Sequence, residues 1–156
     1  MSSMFEGAKS FNKPILIWNT SSVTNMESMF KGATAFNQTL QWNTSSVTNM
    51  KSMFKGATAF NQQLLYFNLI NPLHCKKIAW DTSNVTNMSS MFEGASSFDH
   101  SLVSWDIFKV TDMTNILKDA TSFSKENYCA MLNDRRNLWN NFKRVLGISY
   151  TCPTSI

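Results

Sequence analysis

The chain has 156 residues, is 43% hydrophobic and 15% charged, and carries a formal net charge of +4 with a pI near 9.1. That is enough chain for one domain and too apolar a composition for a disordered one. Charged residues fall below the usual share of about 25%, and no run of about 18 apolar residues occurs, so no helix of this sequence spans a membrane.

Ser, Thr and Asn supply most of the polarity, and these residues hydrogen-bond locally in turns and ladders. At the start, Met1 falls almost directly on Met4-Phe5, which already belong to a repeat, and no signal peptide is visible. The chain is therefore expected to be a piece of a longer array. Full copies of the repeat begin at Trp18, Trp42 and Trp80, and a degraded one begins at Trp105. They read Trp-Asn/Asp-Thr-Ser-x-Val-Thr-Asn-Met-x-Ser-Met-Phe-x-Gly-Ala-x-x-Phe.

A fixed period in this range signals stacked coils that complete one another's core. The inward columns are expected to be Val23, Val47, Val85 and Val110, then Met26, Met50, Met88 and Met113. The Met-Phe pairs come next at 29–30, 53–54 and 91–92, becoming Ile116-Leu117 in the last copy. Behind them come the Ala column from Ala8 to Ala120, the Phe column from Phe11 to Phe123, and Leu16, Leu40, Leu64 and Leu102.

Within a copy, Val23, Met26, Met29 and Phe30 are spaced for a short helix or 3₁₀ turn, with Thr-Ser as N-cap and Gly32 near its end. The Leu-x-x-Trp segment, as in Leu102 to Trp105, is the candidate strand of each coil. Asn25, Asn49, Asn87 and Asn115 suit either a buried stack of amides or solvated turn residues. Asp99-His100, standing where other copies have Asn-Gln at 37–38 and 61–62, reads as surface variation.

Between Phe60 and Trp80 the Phe-to-Trp spacing is 20 residues, against six or seven elsewhere. The excess at 65–79 is an insertion. It is expected to bulge from one edge, with Tyr66-Phe67-x-Leu69-Ile70 either exposed as a contact patch or folded back over the core. After residue 123 the repeat gives way to Met131, Leu132, Leu138, Trp139, Phe142, Val145 and Leu146 at helical spacing. The basic residues, thinly spread before, gather at Arg135, Arg136, Lys143 and Arg144.

The block Trp80-Asp-Thr-Ser-Asn-Val-Thr-Asn-Met-Ser-Ser-Met-Phe-Glu-Gly-Ala-Ser-Ser-Phe98 resembles the BspA-type leucine-rich-repeat family, once filed as a Mycoplasma domain of unknown function. The resemblance covers roughly residues 4–64 and 80–123. It implies an α/β repeat solenoid, leucine-rich-repeat-like, built of short strands and short helices or 3₁₀ turns. It also implies a secreted or cell-surface protein that adheres or binds protein. The expected division is a solenoid over 1–123, of four to five coils of 24–25 residues, and a helical C-terminal cap over 124–156. Such a cap is closed in expectation by a disulfide between Cys129 and Cys152, the alternative being two buried thiols; Cys75 is left over.

No catalytic constellation is legible. His74 and His100 lack partners at metal or triad spacing, no phosphate-binding glycine loop occurs, and the acids are scattered, so no catalytic, cofactor-binding or metal residue is assigned. Five Asn-x-Ser/Thr sequons, at Asn19, Asn37, Asn43, Asn84 and Asn87, are the ordinary product of so Asn- and Thr-rich a repeat. The expected function is a non-catalytic module binding protein or glycan through Thr20, Ser22, Thr44, Ser46, Thr82 and Asn84. The alternatives are a structural array of Thr24, Thr48, Thr86 and Thr111 that orders water or ice, and an anionic-surface binder through the C-terminal basic residues.

Overall fold

The computed structural model describes residues 1–67, 77–134, Trp139 and Cys152. Its organising element is a turn-built coil that stacks on the next. Take residues 26–33. The N–H groups of Met26, Ser28, Phe30 and Gly32 cross to the carbonyls of Asn49, Lys51, Met53 and Lys55 in the following coil, at 2.7–2.9 Å. The intervening N–H groups of Met29, Lys31 and Ala33 instead close turns onto Met26, Ser28 and Phe30 of their own coil, at 3.0–3.3 Å. The following coil repeats the scheme, with Met50, Ser52, Phe54 and Gly56 donating to Asn87, Ser89, Met91 and Glu93. Isolated parallel bridges mark the same ladder at Asn25, Asn49, Asn87 and Asp112.

The expected α/β leucine-rich-repeat-like solenoid is therefore incorrect. Among the described residues the only helix is α1 (Lys125–Leu132), and the only strands are β1 (Leu65–Phe67) and β2 (Lys77–Ala79). These strands form one antiparallel pair inside the insertion, not a strand in each coil. The Leu102–Trp105 segment is a turn, closed by the Trp105 N–H donating to the Leu102 carbonyl at 3.0 Å. The Val23–Phe30 stretch is a run of turns rather than a helix. The physical reason is left-handed backbone twice per coil: Ser28 has φ of 55° and Gly32 of 70°, and the pattern recurs at Ser52 and Gly56, and at Ser90 and Gly94. Neither a helix nor a strand propagates through φ > 0.

The side chains between these points turn inward and stack in register. Phe30, Phe54 and Phe92 lie ring on ring at 5.5–5.6 Å, and Phe36, Phe60 and Phe98 at 5.9–6.2 Å. Within a coil the two columns touch, with Phe54 and Phe60 centroids 4.0 Å apart. Trp18, Trp42 and Trp80 form a third column, and the indole N–H groups of Trp42 and Trp80 donate to the carbonyls of Ile15 and Leu40.

Two registers differ from expectation. Ile15 (6% exposed) occupies the column assigned to Leu16, which is 41% exposed, because each column member lies four residues after its Phe. The polar column contains Asp112 rather than Asn115; Asn115 takes the left-handed position of the serines, with φ of 59°. The column is neither a buried amide stack nor simply solvated. Asn25, Asn49, Asn87 and Asp112 each accept, through Oδ1, the N–H two residues ahead.

The insertion leaves the stack through a closed neck. Leu65 pairs with Ala79, and the Trp80 N–H donates to the Leu64 carbonyl at 3.2 Å, so Leu64 and Trp80 hold their column positions on either side. Leu69, Ile70, His74 and Cys75 lie outside the described residues. At the other end α1 is seated by Asp99, whose Oδ1 accepts both the Ser124 N–H and the Asn127 amide at 2.8 Å. Ser124 is the N-cap of α1. Asp99 is thus more than surface variation: it continues the ladder in which Asn12 and Asn37 accept the N–H groups of Asn37 and Asn61. Met131 and Trp139 join the buried core, and Cys129 is bonded to Cys152. Leu138, Phe142, Val145 and Leu146, with Arg135, Arg136, Lys143 and Arg144, lie outside the described residues.

This packing sets three expected outcomes. Phe54→Ala, at the centre of two ring columns and fully buried, costs about 3–5 kcal/mol in denaturant unfolding. Reducing the Cys129–Cys152 bond, which spans 23 residues, costs about 3 kcal/mol of stability, read as a drop in the midpoint with added thiol. The Asp112 carboxyl is held below its ordinary 3.8 by the Thr114 N–H, with partial burial opposing, so its contribution is complete above pH 3.8 and fades as the pH falls through the lower folded value. Asp112→Asn, which restores the residue of the other copies, leaves stability at pH 7 within about 0.5 kcal/mol and lessens the acid sensitivity of the midpoint.

Candidate functional site

The six residues expected to form a binding face divide into two groups. Thr20, Thr44 and Thr82 are each 1% exposed, and their hydroxyls donate to the carbonyls of Asn43, Asp81 and Asp106 in the next coil at 2.8–2.9 Å. They are rivets between coils and offer nothing to a partner, which corrects their placement on the surface. Ser22 and Asn84 are exposed and Ser46 is half-buried. The Ser46 hydroxyl donates to the Ser21 carbonyl, the Asn84 amide donates to the Ser45 carbonyl, and Lys109 Nζ donates to Asn84 Oδ1 at 2.7 Å. These three therefore share one edge of the stack.

The burial of the threonines has a local cause. The residue before each one, Asn19, Asn43 or Asp81, accepts the N–H and the hydroxyl of the serine two positions on, at 2.7–3.1 Å. This tight turn directs the intervening Thr inward. The Asn-Thr-Ser motif is thereby accounted for as a turn.

Two other columns do face solvent. Thr24, Thr48, Thr86 and Thr111 are all exposed, and each later hydroxyl donates to the carbonyl of the previous Thr at 3.1–3.2 Å. They cap no helix. The Thr48, Thr86 and Thr111 hydroxyls thus donate along the stack, which leaves their oxygen lone pairs as acceptors. A second column runs through Thr34, Thr58, Ser96 and Thr121, with hydroxyl-to-carbonyl distances of 3.3–3.4 Å. The sequence reading passed over it; the signal was the hydroxyl residue that comes after Gly-Ala in most copies.

Charges on the stack pair across coils. Lys31 reaches Glu6 at 2.8 Å and Lys55 reaches Glu93 at 3.0 Å, with a looser Lys51–Glu27 contact at 3.8 Å. The Lys31 ammonium, then the Ser3 hydroxyl, hold the Glu6 carboxyl below its ordinary range, and Glu6 raises Lys31 in turn. Glu93 is lowered first by Ser90 and then, against some burial, by Lys55. These exposed pairs adjust register more than stability. At Asp99 burial is the largest influence and pushes upward, but the Ser124 and Asn127 donors outweigh it and leave the carboxyl low. Among the described residues no three His, Cys, Asp or Glu side chains gather as a metal site, and no helix is long and apolar enough to cross a membrane.

No curated protein and no solved structure matches the chain. The family model for the Mycoplasma protein of unknown function, DUF285, matches it twice, over residues 1–78 and 72–147. Together those two matches span the whole repeat array and most of the C-terminal segment after it, and the chain belongs to this DUF285 family.

Proposed function

We propose that this chain is a non-catalytic repeat module that binds protein or glycan at a cell surface, through the outward columns of its stack. The observation that carries the reading is the exposed column of Thr24, Thr48, Thr86 and Thr111, tied rung to rung by hydroxyl-to-carbonyl hydrogen bonds, with a second hydroxyl column beside it. A preorganised, repeated array engages an extended partner at several rungs at once, so weak contacts add. Ser22, Ser46 and Asn84 lie on the adjoining edge and extend it. The resemblance of the repeat to BspA-type surface proteins supports the location, and the Cys129–Cys152 bond fits an oxidising compartment. No small-molecule substrate, cofactor or metal enters this reading.

A second reading, water or ice ordering, draws on the same observation, since the threonines of the first column are exposed and regularly stacked rather than spent on helix capping. The anionic-surface alternative rests on Arg135, Arg136, Lys143 and Arg144, which lie outside the described residues, and draws no support from geometry.

The experiment is a solid-phase screen of the chain against matrix proteins and an array of glycans, run in parallel with the triple variant Thr24→Glu, Thr48→Glu, Thr86→Glu. The expected result is at least one ligand whose binding falls about tenfold or more in the variant; the stacked carboxylates repel and lower the melting temperature, but all three sites are exposed and the far-UV spectrum at 25 °C stays that of the parent. A screen without any ligand, or ligands indifferent to the triple variant, counts against the reading. Growth arrest of ice crystals by the parent chain and not by the variant would favour the second reading instead.

A further inference from the structure

A cleft lies beside the base of the insertion. Where the chain departs at Leu65 and returns at Ala79, two adjoining cavities of about 160 Å³ and 470 Å³ open beside the neck. They share Gln63, Leu65 and His100 in their walls, so they form one continuous depression. Its inner part is apolar, with Leu64, Leu102 and Trp105, all nearly fully buried. Its outer part is polar, with Thr39, Gln41 and Gln62. None of the described residues lining either part carries a carboxylate, ammonium or guanidinium group.

The polar side chains of this wall differ in how they are engaged. Gln62 is fixed: its amide donates to Asn37 Oδ1 at 3.0 Å and its carbonyl oxygen accepts from the Thr39 hydroxyl at 3.2 Å. Gln41, half-buried, and Gln63, exposed, line the cleft and make no side-chain hydrogen bond to another described residue, and a glutamine amide offers both a donor and an acceptor. His100 occupies the position held by Gln38 and Gln62 in earlier copies. Its Nε2 lies 3.2 Å from the Asn61 carbonyl. A carbonyl only accepts, so Nε2 is the donor in this contact, and Nδ1 is an acceptor in that tautomer. The His100 and Phe98 rings meet in a T-shaped arrangement, centroids 6.1 Å apart.

From this geometry we infer that the cleft at the base of the insertion binds a neutral saccharide of one or two rings, with Gln41, Gln63 and His100 hydrogen-bonding its hydroxyls. The volume of the larger cavity suits such a ligand. Side-chain amides and an imidazole match hydroxyl groups, which both donate and accept, while the half-buried Leu65 and Ala79 add apolar surface for the C–H face of a sugar ring. Among the described lining residues no ammonium or guanidinium group is placed to pair with a phosphorylated or carboxylated ligand. The inference deepens the binding reading above by naming a ligand class at a separate site, and it depends on that reading only for the assignment of binding rather than chemistry.

The test is an NMR titration of the full chain with methyl β-glucoside, methyl β-galactoside, N-acetylglucosamine and their β-linked disaccharides, following the His100 ring and the Gln41 and Gln63 amide signals. At least one saccharide is expected to shift all three saturably. Gln63→Ala, which removes one or two hydrogen bonds, and Ser104→Trp, which fills the cleft with an indole, both at exposed positions on its rim, are expected to weaken that binding about tenfold or more with an unchanged melting temperature. No saturable shift with any saccharide overturns the inference. So does binding that neither variant weakens, or saturation by an uncharged acetylated tripeptide amide when no saccharide binds. The triple Thr→Glu variant separates the two sites: cleft binding is expected to survive it, and binding through the Thr columns is expected to survive Gln63→Ala.

Discussion

Everything else in this molecule depends on how the backbone divides its N–H groups. Along the Met26–Gly32 stretch and its copies, alternate donors cross to the next coil and the rest close turns at home. No buried donor in that stretch is left unsatisfied, though neither a helix nor a continuous sheet is formed. The alternation demands left-handed backbone at two positions per coil. Glycine meets the second demand without strain. Serine meets the first at Ser3, Ser28, Ser52 and Ser90, with φ of 53–56°. In the last coil Asn115 and Asp119 take over both, at 59°, and these are the residue types other than glycine that tolerate the conformation best. The repeat there looks degraded as a string of letters while its backbone requirement is still met.

Once the ladder sets the register, the aromatic columns fall into place. Rings at equivalent positions are brought face to face at 5.4–6.4 Å, so each coil's apolar side is completed by its neighbours and no coil is stable by itself. The same register spends much of the recurring polarity of the repeat on structure. Thr20, Thr44 and Thr82 tie coils together from inside, and Asn19, Asn43 and Asp81 shape the turn that puts them there. Only the outward hydroxyl columns, and whatever departs from the period, remain for a partner.

The sequence showed the core well and the backbone poorly, for a definite reason. Inward columns are set by side-chain type at fixed spacing, so Val47, Met50, Phe54 and Phe60 could be read directly, and so could the pairing of Cys129 with Cys152. Spacings of three, three and one, as in Val23, Met26, Met29 and Phe30, fit a helix as well as a run of turns, and only the positive φ of a serine decides between them. Nothing in the letter Ser announces that. Leu16 displaced Ile15 in the reading because both are aliphatic and adjacent, and Asn115 displaced Asp112 because amide identity was followed instead of distance from Val110. The cleft was illegible for another reason: Thr39, Gln63 and Ser104 come from three coils, and the period that aligns columns says nothing about a depression created by leaving the period.

A stack with the same chemistry on every rung binds by repetition, which favours avidity for extended partners over selectivity for one molecule. Selectivity needs a place where the rungs differ. Those places coincide here. The insertion leaves and re-enters between Leu64 and Trp80, and the coil it enters carries both substitutions in the Asn-Gln pair: His100 changes the wall of the cleft, and Asp99 anchors α1. The neck at Leu64 and Trp80 allows this, because it keeps both column positions filled on either side of the insertion. The coil after the insertion is therefore where a uniform array acquires an individual site, and where a change of ligand can be made without disturbing the ladder that holds the rest.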